Sequence, residues 1–382
     1  MSLRSGVVFS ELLLGPLHVF VTERKLAFLP RLSADASQSN ADGNPAPQNS
    51  IQGAARINLF KAGADVAALQ AAKKDRDFQS HTLDDIRLGA ETESADSLFA
   101  VIEVRQRILV LERNVKTFSD ALEIANQRYE KGLLPRQEVN KVLVDLDNAE
   151  ARLQDARFQA NTANANLIRL LGHNHIKTDW PWQERLRSER VAQLSKAEVP
   201  LAERPDYKAA VALVETETER TSKTYREAFP SIDFAFSQGY SQYIGQTGYY
   251  SSSAFTITIP LFNSLHDYEE YRIQVQNQEA AEIKLKQVEK DISSFSQAAQ
   301  ENFIVSLATA LAREKTLETS QRLYQANLSR FQQGRADANE LAVDQNRLRE
   351  SALLALQGWS QAHQAFVRLC HAFGKSVKIC AI

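Results

Sequence analysis

The sequence repeats itself, and the two copies are displaced by about 202 positions. The clearest match pairs RYEKG at residues 128–132 with RFQQG at residues 330–334. The same displacement relates Leu59-Phe60 to Leu261-Phe262, Glu138 to Glu340, and Gly172 to Gly374. Because a repeat of this kind reflects one structural unit built twice, we predict repeats at residues 27–172 and 204–376. A linker at 173–203, an atypical N-terminal segment at 1–26 and a tail at 377–382 complete the chain.

Heptad patterns predict long paired helices in both repeats. In the first repeat, apolar residues alternate at spacings of four and three, which is typical of coiled coils: Val104, Ile108, Leu111, Val115, Phe118, Leu122, Ala125 and Tyr129. We expect helices at about 62–131, 136–171, 205–227, 265–333 and 337–373. The first would reach roughly 100 Å at 1.5 Å per residue, so it needs partners along its whole length. These stripes predict packing and no chemistry.

Four shorter segments have the alternation of strands, at about 28–38, 53–60, 230–240 and 253–262. Phe255, Ile257 and Ile259, for example, alternate with Thr256 and Thr258. Such alternation fits a membrane strand and equally a half-buried strand in a water-soluble protein. The loops at 37–53 and 239–253 are polar. The second loop holds tyrosines that fit either an interfacial girdle or an ordinary loop: Tyr240, Tyr243, Tyr249 and Tyr250.

The small number of strands limits where such a sheet can be placed. Four strands leave two open edges, and unpaired backbone groups are not tolerated in lipid. If the sheet lies in a membrane, oligomerisation must close it.

Composition excludes several classes of protein. The formal net charge of −2 gives no reason to expect a nucleic-acid partner. Cys370 and Cys380 are too few for a disulfide framework or a four-ligand zinc site. The sequence contains no run of 18 apolar residues, so we predict no transmembrane helix. Val7 to Val21 is apolar but Glu11 interrupts it, so it is a poor secretory signal.

Short motifs, whose order recurs in the two repeats at a constant offset, resemble the TolC-like outer-membrane efflux protein family. They are FLPRL at 28–32, INLF at 57–60, RYEKGL at 128–133, LLG at 170–172, ERPD at 203–206, FPSI at 229–232, IPLF at 259–262 and RFQQG at 330–334. The resemblance implies a mainly α fold with a small β part. Long antiparallel coiled-coil helices and four membrane strands per protomer would form, in a homotrimer, a barrel of twelve strands above an α-helical periplasmic tunnel.

The same resemblance implies a function. The chain would be a passive outer-membrane channel, not an enzyme and without a cofactor, in a tripartite efflux or type I secretion system. Its partners would be a periplasmic adaptor, an inner-membrane transporter and outer-membrane lipid, and the helices would lie in the periplasm. The family has a signal peptide and a helix before the first strand. Gly6, Gly15 and Pro16 argue against such a helix here, so we expect a misplaced start or a truncated chain.

The turns between the long helices are the candidate functional site. Gly132 and Gly334 are expected in left-handed helix caps, Asp337 would cap the next helix, and Glu340 would complete a capping box. Pro135 replaces Asp337 in the first repeat, so Glu138 would act on the helix dipole. Turn chemistry alone would be sufficient to explain these residues.

The resemblance adds that the turns form the periplasmic tip, where the adaptor docks and the pore narrows. The candidate residues are Gly132, Leu133, Leu134, Arg136, Glu138, Gly334, Arg335, Asp337, Glu340 and Asp344. Glu340 matches an acidic gate position of the family. Val343 stands at the next acidic position, with Asp344 beside it, and Ala336 replaces the tip arginine, with Arg335 before it. These departures leave the salt bridges of the gate open.

Three alternatives have less support: a metal site, an enzyme and a coiled-coil scaffold. His173, His175 and Asp179 fit a metal site, but a solvated turn is the more common role of such a segment, and we predict no metal. No nucleophile elbow, P-loop or dinucleotide fingerprint is present. A soluble coiled-coil scaffold that binds partner proteins shares the heptads, but it does not need two strand pairs at equivalent places in a repeat.

Overall fold

A computed structural model shows a mainly helical chain with one sheet. It describes residues 19–39, 48–172, 186, 197–243, 246–261, 265–332, 335, 338–376 and 380. The strands are β1 (Arg31–Ser39), β2 (Gln48–Phe60), β3 (Ser231–Tyr243) and β4 (Gln246–Thr258). The helices are α1 (Ala64–Glu130), α2 (Arg136–Leu171), α3 (Pro205–Glu227), α4 (His266–Gln332) and α5 (Ala338–Ala372). A 3-10 turn at Leu201–Glu203 precedes α3.

The element order repeats as the sequence does. Helices α1 and α4 each contain 67 residues, and their first residues, Ala64 and His266, show the displacement of the motifs. The predicted mainly α fold with four antiparallel strands is confirmed.

The strand boundaries differ from the prediction at the polar loops. Strand β2 begins at Gln48, and the segment predicted as a loop at 239–253 is mostly strand. Serine and glycine hide the alternation there, while antiparallel pairing continues to Tyr243 and Gln246. The predicted strand at 253–262 is wrong at its end, because β4 stops at Thr258. Pro260 follows closely and has no N–H for a ladder hydrogen bond.

The N-terminal expectation also needs correction. Residues 19–26 are helical, although we expected the segment before β1 not to form a helix. The glycines and Pro16 on which that expectation rested all precede this stretch, so they do not interrupt it.

The described chain divides into two compact units that cut across the repeats. The sheet unit comprises Val8–Asp84 with Pro205–Lys290, and the coiled-coil unit comprises Asp85–Arg204 with Asp291–Ile382. Each repeat contributes to both units, because α1 and α4 each pass from one into the other.

The sheet has the order β1-β2-β3-β4, and every pair is antiparallel. Residues opposite one another share a face, so the register sorts the side chains. One face is apolar and carries, among others, Leu32, Ile51, Ala55, Ile57, Phe234, Phe236, Tyr240, Tyr249, Phe255 and Ile257. Among the described residues, side chains on this face are largely exposed: Leu32 is 82% exposed and Phe255 is 72% exposed.

The opposite face of the sheet is polar and internally hydrogen-bonded. The hydroxyl oxygens of Ser37 and Ser50 lie 2.8 Å apart. The Tyr250 hydroxyl donates to Gln52 Oε1 at 2.9 Å. Tyr250 therefore lies on the polar face, whereas Tyr240 lies on the apolar face. Asn58 Nδ2 donates to Asp233 Oδ1 at 2.9 Å across β2 and β3. The sheet thus has one face suited to an apolar solvent and one suited to water.

Gly239 in β3 leaves no room for a side chain. A Cβ there would lie 2.8 Å from the carbonyl oxygen of Ile51 and 2.7 Å from the ring of Tyr250. We expect Gly239→Ala to lower the free energy of unfolding by about 1–3 kcal/mol through overpacking. The measurement is the midpoint of thermal unfolding in detergent, which should fall. Gly248→Ala is the matched control, because nothing lies within 4 Å of that position. Equal midpoints for the two variants would contradict the pairing of β2, β3 and β4.

Helices of each repeat pair antiparallel in the coiled-coil unit. Arg105 Nη2 donates to Asn164 Oδ1 at 3.2 Å, whereas Arg157 Nη2 donates to Glu112 Oε1 at 3.2 Å. The residue numbers of the contacts fall along α2 as they rise along α1, so the two helices are antiparallel. Apolar seam residues are buried between these helices: Val101, Leu111, Leu153, Ala156, Leu167 and Leu171.

The largest buried cluster lies between α4 and α5. It comprises Leu186, Phe303, Ala310, Trp359, Ala362, Ala365, Phe366, Leu369, Cys370 and Phe373. The cluster includes four residues of the seam that the heptad spacing predicts in the second repeat: Phe303, Ala310, Ala362 and Leu369. Among the described residues, no helix is both long and apolar enough to cross a membrane.

Candidate functional site: the two helix turns

The first turn ends α1 by a left-handed glycine. Gly132 has φ of 70°. Its N–H donates to the Tyr129 carbonyl at 2.8 Å, and the Leu133 N–H donates to the Arg128 carbonyl at 2.9 Å. The latter bond spans five residues, as in the Schellman motif. Pro135 then adopts an extended conformation, with φ of −73° and ψ of 151°, and α2 begins at Arg136.

A substitution at Gly132 shows whether backbone conformation or steric contact with neighbouring atoms requires glycine in this turn. No atom lies within 4 Å of a Cβ built there, so only the positive φ opposes a side chain. We expect Gly132→Ala to lower the free energy of unfolding by about 1–2 kcal/mol, measured by urea titration. Gly89→Ala, at an open position within α1, should instead stabilise by up to about 1 kcal/mol. The same sign for both variants would contradict the left-handed cap.

The second turn shares one backbone feature with the first. The Arg335 N–H donates to the Arg330 carbonyl at 2.8 Å, and this bond also spans five residues. It is displaced by 202 positions from the bond between Leu133 and Arg128. Gly334 and Asp337 lie outside the described residues, so their capping roles stay predictions. Glu340 lies in the first turn of α5 and its side chain is exposed.

The first-turn carboxylate of α2 lies next to a lysine. The Glu138 N–H donates to the Pro135 carbonyl at 3.0 Å, and Glu138 Oε1 accepts from Lys141 Nζ at 2.7 Å. The negative charge thus lies at the positive end of the helix dipole. Because the lysine side chain is largely exposed, this pair adds little stability.

Asp344 is buried within the protomer. Arg347 Nη1 donates to its Oδ1 at 2.8 Å, and Asn327 Nδ2 of α4 donates to its Oδ2. Val343, at the position where the family has an acidic residue, is exposed. The described structure therefore uses Asp344 to join α4 to α5, whereas the Glu340 carboxylate near this turn is exposed.

A cleft of about 460 Å³ lies beside the turns, between α1, α2 and α5. Of the predicted site residues it brings Leu134 and Glu138 together. Gly132, Leu133, Arg136, Arg335, Glu340 and Asp344 do not line it. Its other lining residues are Phe118, Ala121, Ala125, Arg128, Lys141, Val142, Asp145, Asn339, Leu341, Ala342 and Gln345. Burial raises the pKa of the Asp145 carboxyl in this cleft, an effect that the charge of Arg152 opposes.

Asn327 and Asp145 are site residues that the sequence pattern did not predict. Asn327 is the partner of Asp344, and only the register between α4 and α5 brings the two together. One signal was available: Asp344 and Gln345 lie between the seam residues Leu341 and Leu348, where a second apolar heptad position is expected. Polar residues at that position indicate a hydrogen-bonded contact in the seam.

The metal hypothesis gains no support from the described residues. His173, His175 and Asp179 lie outside them. Within the part of the chain that the structure describes, no group of three or more histidine, cysteine or acidic residues is arranged to hold a metal ion.

Comparison with known families identifies the first repeat. Residues 21–173 match the model of the outer membrane efflux protein family. A search of curated protein sequences gave no significant match.

Solved structures with the same fold cover nearly the whole chain. CusC superposes with a TM-score of 0.85 at 15% identity, covering 96% of this chain and 88% of CusC. The outer membrane protein VceC of Vibrio cholerae gives 0.81 at 14% identity, with 97% and 93% coverage. The open state of the MtrE outer membrane channel of Neisseria gonorrhoeae gives 0.80 at 17% identity, with 98% and 86% coverage.

These matches agree with the predicted fold. The family match lies in the first repeat, and the shared fold extends over both. Residues 21–173 therefore resemble the outer membrane efflux protein family, and the chain as a whole has the fold of CusC, VceC and MtrE.

Proposed function

We propose that the chain is the protomer of a passive export duct, in which three copies close one β-barrel in the outer membrane. The observation that supports this most strongly is the sheet: an exposed apolar face lies opposite a hydrogen-bonded polar face. An apolar face directed at lipid and a polar face directed at a water-filled lumen are the arrangement of membrane barrels. A soluble scaffold would leave the apolar face in water.

The two sheet edges explain why a single protomer is insufficient. Strands β1 and β4 are the outer strands of the sheet, so among the described residues each has one side without a strand partner in the same chain. In lipid such backbone groups cost several kcal/mol each. Pairing β1 of one protomer with β4 of the next removes both edges, and three copies give twelve strands.

The helix turns would contact the periplasmic partner in this assembly. Leu133 protrudes from the first turn with 73% of its surface exposed. Arg136 is exposed in the same turn, and Arg335 and Glu340 are exposed at the second turn. An exposed leucine with charged neighbours suits a protein contact. We assign these turns to docking of the periplasmic adaptor, through which an inner-membrane transporter would deliver its substrate in tripartite efflux or type I secretion.

The location and the assembly can be tested together. We expect the protein in the detergent-extracted outer-membrane fraction, with the mass of a trimer, and we expect it to conduct ions in a planar bilayer. A soluble monomer without conductance would support the coiled-coil scaffold instead.

Docking needs a separate test with a matched control. A photo-crosslinking amino acid at Leu133 should capture the periplasmic adaptor in intact cells. The same probe at Phe158 of α2, which is also 73% exposed, should not. Equal capture at both positions would contradict docking at the turns.

A further inference from the structure

Cys370 and Cys380 lie together although ten residues separate them in the sequence. Cys370 lies near the end of α5 and is fully buried in the cluster around Phe303 and Phe366. Cys380 packs against the same cluster and is half-buried. Both cysteines therefore contact the same buried cluster. Both are present as free thiols in the structure.

Backbone and side-chain hydrogen bonds hold the segment after α5 against the helix. Gly374 has φ of 65°, and its N–H donates to the His371 carbonyl at 2.8 Å. The Lys375 N–H donates to the Cys370 carbonyl at 3.1 Å. Ser376 Oγ donates to Glu91 Oε1 of α1 at 2.7 Å. The Cys380 N–H then donates to the Ser376 carbonyl at 3.1 Å. These bonds position Cys380 beside Cys370.

We infer that Cys370 and Cys380 form an intrachain disulfide in the assembled protein, an oxidation site that joins the segment after α5 to the buried cluster. The inference rests on the proposed function, because disulfides form and persist in the periplasm and are rare in the cytosol. A bond here would fasten the segment that contacts Glu91 of α1 to α5.

The two thiols differ in the way that an exchange reaction requires. The hydrogen bond from Cys370 lowers the pKa of Cys380, and the charge of Lys375 adds to this effect against the opposing effect of burial. Burial raises the pKa of the Cys370 thiol, and the contact with Cys380 adds to this effect. Because the thiolate is the nucleophile, Cys380, which is also the more accessible, reacts first.

The oxidant is the disulfide of a periplasmic thiol oxidant. The Cys380 thiolate attacks one sulfur of that disulfide, forms a mixed disulfide and releases the other sulfur as a thiolate. The Cys370 sulfur then attacks Cys380 Sγ, forms the intrachain bond and releases the second oxidant sulfur. The proton of Cys370 passes to the departing sulfur. In sum, two protein thiols become one disulfide, and the oxidant disulfide becomes a dithiol.

Thiol counting in cells tests the inference. Cells are quenched with N-ethylmaleimide, and the protein from the outer-membrane fraction is denatured and treated with a maleimide polymer before and after reduction. We expect no polymer attached before reduction and two per chain after it, with no N-ethylmaleimide on either cysteine. Cys370→Ser and Cys380→Ser should each leave one free thiol. Two cysteines already blocked by N-ethylmaleimide, or a bond between chains, would overturn the inference.

A second measurement tests whether the two cysteines are close enough to form a disulfide. Its result does not depend on where the protein lies in the cell. Reduced, folded full-length protein is incubated with oxidised glutathione and analysed by mass spectrometry. We expect an intrachain disulfide, seen as the loss of two hydrogens per chain, and a glutathione adduct only in the Cys370→Ser variant. A lasting adduct on Cys380 of the unmodified protein would overturn the inference. Absence of the protein from the outer membrane would instead contradict the proposed function.

Discussion

Replacing Arg204 with alanine should lower the free energy of unfolding of the coiled-coil unit by about 3–5 kcal/mol, because two hydrogen bonds from a charged donor are lost. The side chain is buried. Its Nη1 donates to the His371 carbonyl at 3.3 Å and to the Ala372 carbonyl. The last carbonyls of a helix have no partner within the helix, so this arginine caps the end of α5. Urea titration of the detergent-solubilised protein measures the loss.

Two further variants separate the cap from simple loss of charge. Arg204→Lys keeps the charge but cannot present the planar fork of donors, so it should recover only part of the lost stability. Arg322→Ala removes an exposed arginine that lies 3.6 Å from Glu318, and it should cost under about 1 kcal/mol. The capping role would be contradicted if Arg204→Ala and Arg322→Ala had the same effect.

Phe303→Ala should lower the free energy of unfolding by about 3–5 kcal/mol, because it leaves a cavity in the main cluster. Phe303 is 1% exposed, and its ring centroid lies 5.9 Å from that of Phe366. The midpoint of thermal unfolding, followed by circular dichroism, should fall accordingly.

The next residue along α4 provides the control for Phe303. Ile304 is 48% exposed in the protomer, so Ile304→Ala should change the stability of the isolated protomer by less than about 1 kcal/mol. A loss at Ile304 equal to the loss at Phe303 would show that the heptad seam has been placed on the wrong face of α4.

The helices and the repeat could be predicted because their signals are local and periodic. The spacing of Val104, Ile108 and Leu111 indicates a buried seam without knowledge of its partner. The strand ends could not be predicted in the same way. Around Gly239 the sequence is rich in serine, glycine and tyrosine, and only pairing across strands, such as Tyr240 with Tyr249, extends β3 and β4.

In the candidate site, too, local features could be predicted from the sequence and contacts between elements could not. The left-handed cap at Gly132 could be predicted because few residues other than glycine tolerate a positive φ, and the structure has it there. The partners of Asp344 and Arg204 could not be predicted. Asn327 and the carbonyls of His371 and Ala372 lie on other elements, and the register between elements depends on packing along their full length.

Closure of the sheet between protomers is the central claim, and disulfide crosslinking of the sheet edges tests it most directly. In a Cys370→Ser, Cys380→Ser background, one cysteine replaces Ser33 or Asp35 of β1 and another replaces Ala254 or Thr256 of β4. Within one chain two strands separate β1 from β4, roughly 14 Å at about 4.8 Å per strand. A disulfide spans under about 7 Å between Cα atoms, so any bond must join two chains. We predict that at least one pair gives dimer and trimer bands on a non-reducing gel, with nothing larger, and that single cysteines give no trimer. No bond between chains for any pair, or a ladder beyond the trimer, would contradict the account.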